Sequence, residues 1–465
     1  MLSNLSRRLI LLGLLWLATL PFPAAAQITV LPDDPGSLQH AQVLFGAPEQ
    51  RRQALEELVA IGDPNAAAVL ILAMRFQGDG RDAVVRAFQQ LTGSDATNWF
   101  EAMLWQQAHP EITPHPSYRA IKLALFEYLD PAFLRFLGGE RSEAGNLRIR
   151  LEEITWGGVR VDGIPALDNP DRIAVEAADY LRDTDLVFGV EINGDARAYP
   201  LRVMGWHEMF NDVIGGVPVA LAYCTLCGSG ILFETLVDGR DTPFVFGSSG
   251  FLYRSNKLMF DRQTDSLWNQ FTGQPVSGPL RDSGIALNIR PVTITNWAQW
   301  RERHPNTTVL SLDTGYQRDY GSGVVYREYF ASDTLMFPSI IGDESRVKRK
   351  DYVYGIRTAG GAKAWPLDAF SGGAVINDRV GFDNVVLIGD SATRTVRAYR
   401  REAMTFAAGN TPEALTAADG VWRVEEQALI GPSGTRLPRM PGHIAYWFAW
   451  NSYLGAESAL YTGSE

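Results

Sequence analysis

With 465 residues, 46 % of them hydrophobic and 20 % charged, the chain is long enough for two or three domains and too apolar to be disordered. A formal net charge of −11 with no basic cluster argues against nucleic acid or anionic lipid as the main partner.

The chain opens with Arg7 and Arg8 ahead of the apolar run Leu9 to Leu20, then Pro21 to Pro23 and Ala24-Ala25-Ala26. This is the pattern of a secretory signal over residues 1–26, with cleavage leaving Gln27 first. The run falls short of the about 20 apolar residues of a membrane span, and no later stretch is longer. The expectation is therefore a periplasmic or secreted protein with no stable span in the mature chain, the alternative being an uncleaved anchor.

From 27 to 150 the pattern is helical. Ala54, Leu55, Leu58, Val59 and Ile61 form one apolar face that stops at Gly62-Asp63-Pro64; Val69 to Phe76 stops at Gly78-Asp79-Gly80; Val84, Val85, Phe88 and Leu91 repeat the face before Gly93. Helices this short need neighbours, so stacked pairs are expected. The segment resembles HEAT-type repeats, which implies either a helical cap or a docking surface for a protein partner.

Beyond Glu152 the period changes to two. Val187 to Ile192, Asn193-Gly194 and Ala196 to Tyr199 predict a hairpin. Val353 to Ile356, Gly360-Gly361 and Ala362 to Trp365 repeat it at a constant offset of 166 residues, and Asn211-Asp212 against Asn377-Asp378 keeps that offset. Trp297 and Trp300 recur as Trp447 and Trp450 at an offset of 150. The expected fold class is α+β: a small all-helical repeat domain, then a β-rich domain duplicated as 151–312 and 313–465.

Cys224 and Cys227 are the only cysteines, within Cys224-Thr225-Leu226-Cys227. A disulfide closing so short a loop stabilises by only about 2 kcal/mol, so the spacing suits reversible dithiol chemistry, or paired thiolates on a soft metal, better than a staple. At the offset of 166 the second copy has Asp390 and Thr393, and is cysteine-free. A unit that dispenses with the thiols in one copy favours a chemical role for them in the other. Val217 to Tyr223 reads as a buried strand delivering Cys224, and Ile231 to Val237 as the next strand. No helix starts at the first cysteine, so a thioredoxin fold is not expected, and thiolate stabilisation would fall to loop N–H groups or a nearby base.

Trp156-Gly157-Gly158-Val159, Asp162 to Leu167, Ala196 to Leu201, Trp206-His207-Glu208, Asn211-Asp212, Tyr223 to Gly228, Leu252-Tyr253, Met259 to Arg262 and Ser266-Leu267-Trp268 form an ordered set. The set resembles the motifs of the bacterial domain of unknown function 3179, over about Leu151 to the C-terminus. That family has no established activity. Some members are described as selenoproteins with selenocysteine in this motif, which implies a redox centre. The family's usual proline after the first cysteine is Thr225 here.

His207 is a candidate base, or third metal ligand beside Cys224 and Cys227. Its structural alternative is a hydrogen-bonded strand end or helix start. The partial His207-Glu208 motif lacks the second histidine of a zincin. Arg254 and Arg262 are candidates for holding an anionic substrate or favouring thiolate, the alternative being a salt-bridged strand pair. Motifs of serine hydrolases, P-loop NTPases and Rossmann enzymes are missing. The leading expectation is a thiol oxidoreductase needing no cofactor, with Cys224 as nucleophile, Cys227 as resolving thiol and an unidentified electron donor. The alternatives are soft-metal delivery, with copper or zinc on Cys224, Cys227 and His207, and an interaction scaffold.

Overall fold

The computed structural model describes residues 31–137 and 147–463; the signal-like segment 1–26 lies outside them. The helices Ser37–Phe45, Pro48–Ile61, Ala67–Phe76, Arg81–Thr92, Trp99–Ala108, Tyr118–Leu129 and Leu134–Leu137 come first. Gly62 (φ 74°) and Gly93 (φ 69°) end two of them in the left-handed conformation that glycine adopts without a Cβ penalty. The Asn98 side chain starts another by accepting the N–H groups of Phe100 and Glu101. Ile61, expected on the buried face, is 58 % exposed, because Gly62 turns the chain at that residue.

The helix Ala67–Phe76 is apolar on every side and buried along nearly its whole length, with packing partners all round. The helical region shares one core with the strands that follow: Phe126, Phe133 and Phe136 pack on Phe251, and Phe136 also on Phe260. Polar ties cross the same junction, from Arg75 to the Trp156 carbonyl (2.6 Å) and from Lys122 to the carbonyls of Leu151 and Ile154 (2.5 and 2.7 Å). The inner face of the helices is thus committed to the strand region as a cap.

The rest is mixed and strand-rich. Strands Leu186–Ile192 and Asp195–Pro200 form the expected hairpin, with positive φ at both Asn193 and Gly194. Thr293–Asn296 flanks it antiparallel and Thr308–Leu310 parallel. In the later half, Tyr352–Thr358 and Gly361–Pro366 form a hairpin flanked by Gly442–Tyr446 antiparallel and Ser458–Leu460 parallel. Helices Trp297–Arg303 and Trp447–Leu454 follow the antiparallel neighbours and seat Trp300 over Gly189 and Trp450 over Gly355, where a Cβ would overlap the indole.

Two meanders complete the halves. Met209–Ile214, Val217–Cys224 and Ser229–Glu234 pair in order, as do Ala374–Val380, Asp383–Asp390 and Thr395–Arg400. The second meander belongs to an eight-stranded, near-closed sheet. From its first strand Asn377 clasps Phe406, just ahead of the strand Ala407–Ala408 at the other edge: its amide donates to the Phe406 carbonyl (2.7 Å) and accepts the Phe406 N–H (2.8 Å). Asn211 clasps Phe246 through the same two bonds, both 2.9 Å.

Each meander sends a hairpin tip towards the other half. Cys224 and Cys227 pack among Ala445, Tyr446, Ala449 and Trp450, while Thr395 bonds Thr295 across halves (2.8 Å). Between Leu310 and Tyr352 the chain forms a long strap whose one helix is the short Arg327–Phe330.

Candidate functional site

The strand Val217–Cys224 is buried from Val219 onwards, so it delivers Cys224 into the interior rather than to the surface. The turn that follows is closed by the Cys227 N–H on the Cys224 carbonyl (3.2 Å) and the Gly228 N–H on Thr225 (3.3 Å). Gly228 (φ 60°) admits the reversal, and a Cβ there would stand 2.8 Å from Tyr352. Both cysteines are free, 2 % and 0 % exposed, and their sulfurs are 2.8 Å apart. A disulfide needs about 2.05 Å, so closure requires only small side-chain rotations.

The group facing the sulfurs is the Ser255 carbonyl, 3.2 Å from Cys227 Sγ and 3.8 Å from Cys224 Sγ. It belongs to the two-residue turn between strands Phe246–Tyr253 and Asn256–Asp261, where Arg254 (φ 48°) and Ser255 (φ 63°) both adopt the left-handed conformation. Such turns favour Asn-Gly, and an Arg-Ser pair is strained unless its surroundings hold it. Here Arg254 is fixed by Glu153 (2.6 Å), and Ser255 Oγ donates to the Phe337 carbonyl (2.7 Å). An acceptor aimed at the sulfurs stabilises thiols, not thiolates. Burial pushes the Cys227 thiol well above its ordinary range, and the Cys224 contact and the Glu208 carboxylate add to that. The expectation that loop N–H groups would favour thiolate is therefore replaced by a site that favours proton-bearing or disulfide sulfur.

The polar neighbour of the turn is Glu208, 6 % exposed and held at φ 56°. Its carboxylate accepts the Thr225 hydroxyl (2.7 Å) and pairs with the buried Lys257 ammonium (2.9 Å). The Tyr329 hydroxyl donates to the Leu226 carbonyl (2.7 Å), and the Tyr446 N–H to the Cys227 carbonyl (2.8 Å). In the sequence Glu208 stands in the Trp206-His207-Glu208 motif and in an incomplete zincin motif, and neither signals a contact with the cysteine turn.

His207 ends the helix Leu201–His207, rather than starting a helix or ending a strand. Its ring lies between the Pro165 carbonyl (2.9 Å) and the Tyr320 hydroxyl (2.6 Å), and neither nitrogen is bonded to a thiol. Burial lowers its pKa below the usual histidine value, although the Pro165 carbonyl acts the other way. Arg254 borders the site but its guanidinium is committed to Glu153 and the Ser452 carbonyl, while Arg262 pairs with Asp162 (2.9 and 3.1 Å). Both are salt-bridged, but from turns beyond the strand ends and to partners outside strands, rather than within a strand pair. Among the described residues no group of three or more His, Cys, Asp or Glu is arranged to hold a metal ion. No helix among them is long and apolar enough to cross a membrane. At the tip of the later meander lie Asp390 and Thr393, with Thr393 Oγ1 3.3 Å from Asp390 Oδ2.

The model of a family described as a protein of unknown function (DUF3179) matches residues 161–457, which include both hairpin tips. Comparison with curated proteins and with solved structures finds no match.

Proposed function

Because the chain belongs to the DUF3179 family, whose function is unknown, we propose a role from its own geometry: a thiol–disulfide redox protein that cycles Cys224 and Cys227 between dithiol and disulfide. The observation that carries this reading is the pair of free sulfurs 2.8 Å apart on a tip that both halves enclose.

Cys224 as thiolate attacks one sulfur of a substrate disulfide and releases the first thiolate; Cys227 then attacks Cys224 in the mixed disulfide and releases the second. The substrate disulfide gains two electrons, the dithiol loses them, and the two thiol protons end on the released thiolates. Cys227 is completely buried, and burial holds its thiol well above the ordinary range, which suits the resolving role. A dithiol reductant would restore the pair. An exported location, which the pattern of residues 1–26 supports, would place it in an oxidising compartment.

The two halves are read as copies of one unit. This is supported by the matched hairpins, the Trp300 and Trp450 seats, the Asn211 and Asn377 clasps and the tips at Cys224 and Asp390. In this reading the second copy walls the site of the first. A protein partner at the helical region would meet its outer face, since the inner one is occupied.

Single variants test the assignment. Cys227→Ser incubated with oxidised glutathione is expected to accumulate a mixed disulfide on Cys224, seen by intact mass, while Cys224→Ser reacts far more slowly. Equal inertness of both folded variants would remove the redox reading. A metal retained by the wild-type protein and lost in both would replace it with soft-metal binding.

A further inference from the structure

Two turns make the dithiol site, one carrying the sulfurs and the other presenting the Ser255 carbonyl to them, and they come from different sheets. Glu208 bonds the first turn and the strand leaving the second. Its backbone carbonyl accepts the Tyr223 N–H (2.7 Å), immediately before Cys224, and its carboxylate accepts the Thr225 hydroxyl (2.7 Å), immediately after it. Its other carboxylate oxygen pairs with Lys257 (2.9 Å), two residues beyond Ser255. Tyr326 Oη lies 3.4 Å away on the strap side.

We propose that Glu208 is the positioning residue of the dithiol: it clamps the backbone on both sides of Cys224 and, through Lys257, holds that segment against the turn whose carbonyl faces the sulfurs. A buried ion pair must recover the cost of removing two charges from water, and Glu208 also keeps a left-handed backbone that an ordinary residue avoids. Both costs fall on a residue that ties the segment around Cys224 to the strand leaving the Arg254-Ser255 turn. Fixing the sulfurs together raises the effective concentration of one thiol at the other, which favours the disulfide.

This inference rests on the redox reading, and the test separates the two. The reduction potential of the full mature chain is measured by thiol trapping across a glutathione series for wild type, Thr225→Val, Thr225→Ser and the charge-neutral double variant Glu208→Gln/Lys257→Met. A reversible wild-type midpoint tests the redox reading alone. For the clamp, Thr225→Val is expected to lower the equilibrium constant for disulfide formation about fivefold, a shift of about 20 mV to a less negative potential. Thr225→Ser, which keeps the hydroxyl, restores the wild-type value, and the double variant moves in the same direction as Thr225→Val. Should the double variant not fold, the Thr225 pair decides. Coincident midpoints for wild type and folded Thr225→Val would overturn the clamp while leaving the redox reading in place.

Discussion

Cys227 is completely buried, faces a carbonyl and keeps its proton in the folded, reduced protein to a pH above that of a free thiol. The unfolded chain ionises this thiol near pH 8.5, while the folded chain still binds the proton. Above that pH the unfolded state is therefore favoured progressively, up to the raised folded value; below it Cys227 contributes no pH dependence. Reduced wild type is expected to lose stability relative to Cys227→Ser as pH rises above about 8.5, with parallel behaviour below, in paired denaturant titrations. Parallel curves throughout would mean that the thiol is solvated. At this scale the cysteines were legible because spacing and scarcity single them out. Glu208 was not: its role depends on a left-handed turn after His207 that directs the two side chains to different partners, His207 to Pro165 and Tyr320, Glu208 to Thr225 and Lys257.

Among elements, the clearest physical match between the halves is an indole lying on a hairpin glycine. Gly189 under Trp300 and Gly355 under Trp450 have no space for a methyl group, and the indole N–H groups are anchored on Thr307 (3.0 Å) and Ser458 (2.7 Å). Overpacking of this kind costs about 1–3 kcal/mol. Gly189→Ala and Gly355→Ala are each expected to lower the melting temperature, by similar amounts, in thermal scans. A large loss in one and none in the other would argue against equivalent units. These hairpins were readable because period two, Asn-Gly and the recurring tryptophans are local signals. Less legible were element ends: the strand expected over Ile231 to Val237 stops at Glu234, although the Thr235 N–H still bonds the Pro218 carbonyl of the paired strand (3.0 Å).

Over the whole molecule, the strap between Leu310 and Tyr352 carries no periodic signal, because its residues are placed by what they cover. Tyr320 reaches His207, Tyr326 and Tyr329 reach Glu208 and Leu226, and Phe337 receives Ser255. Its outer face leaves Leu312, Tyr316, Val324, Phe330, Met336 and Ile340 exposed, so it is packed on one side alone. Segments with few buried apolar contacts open at lower free energy than the core, and opening here would uncover the sulfurs. Tyr329→Phe removes the 2.7 Å bond to Leu226 and is expected to speed alkylation of the reduced thiols severalfold at unchanged global stability. An unchanged alkylation rate would place the route to the sulfurs elsewhere.

Reversible cycling of Cys224 and Cys227 is read from the reduction potential of the wild-type protein, by thiol trapping across a glutathione series with metal assayed on the same sample. The site gives no stabilisation to thiolate, the feature that makes a dithiol–disulfide pair strongly oxidising, so a reversible, metal-free midpoint is expected near the reducing end of the known oxidoreductases, about −270 mV. Thiols that resist oxidation throughout the series, or that carry stoichiometric metal, would contradict it.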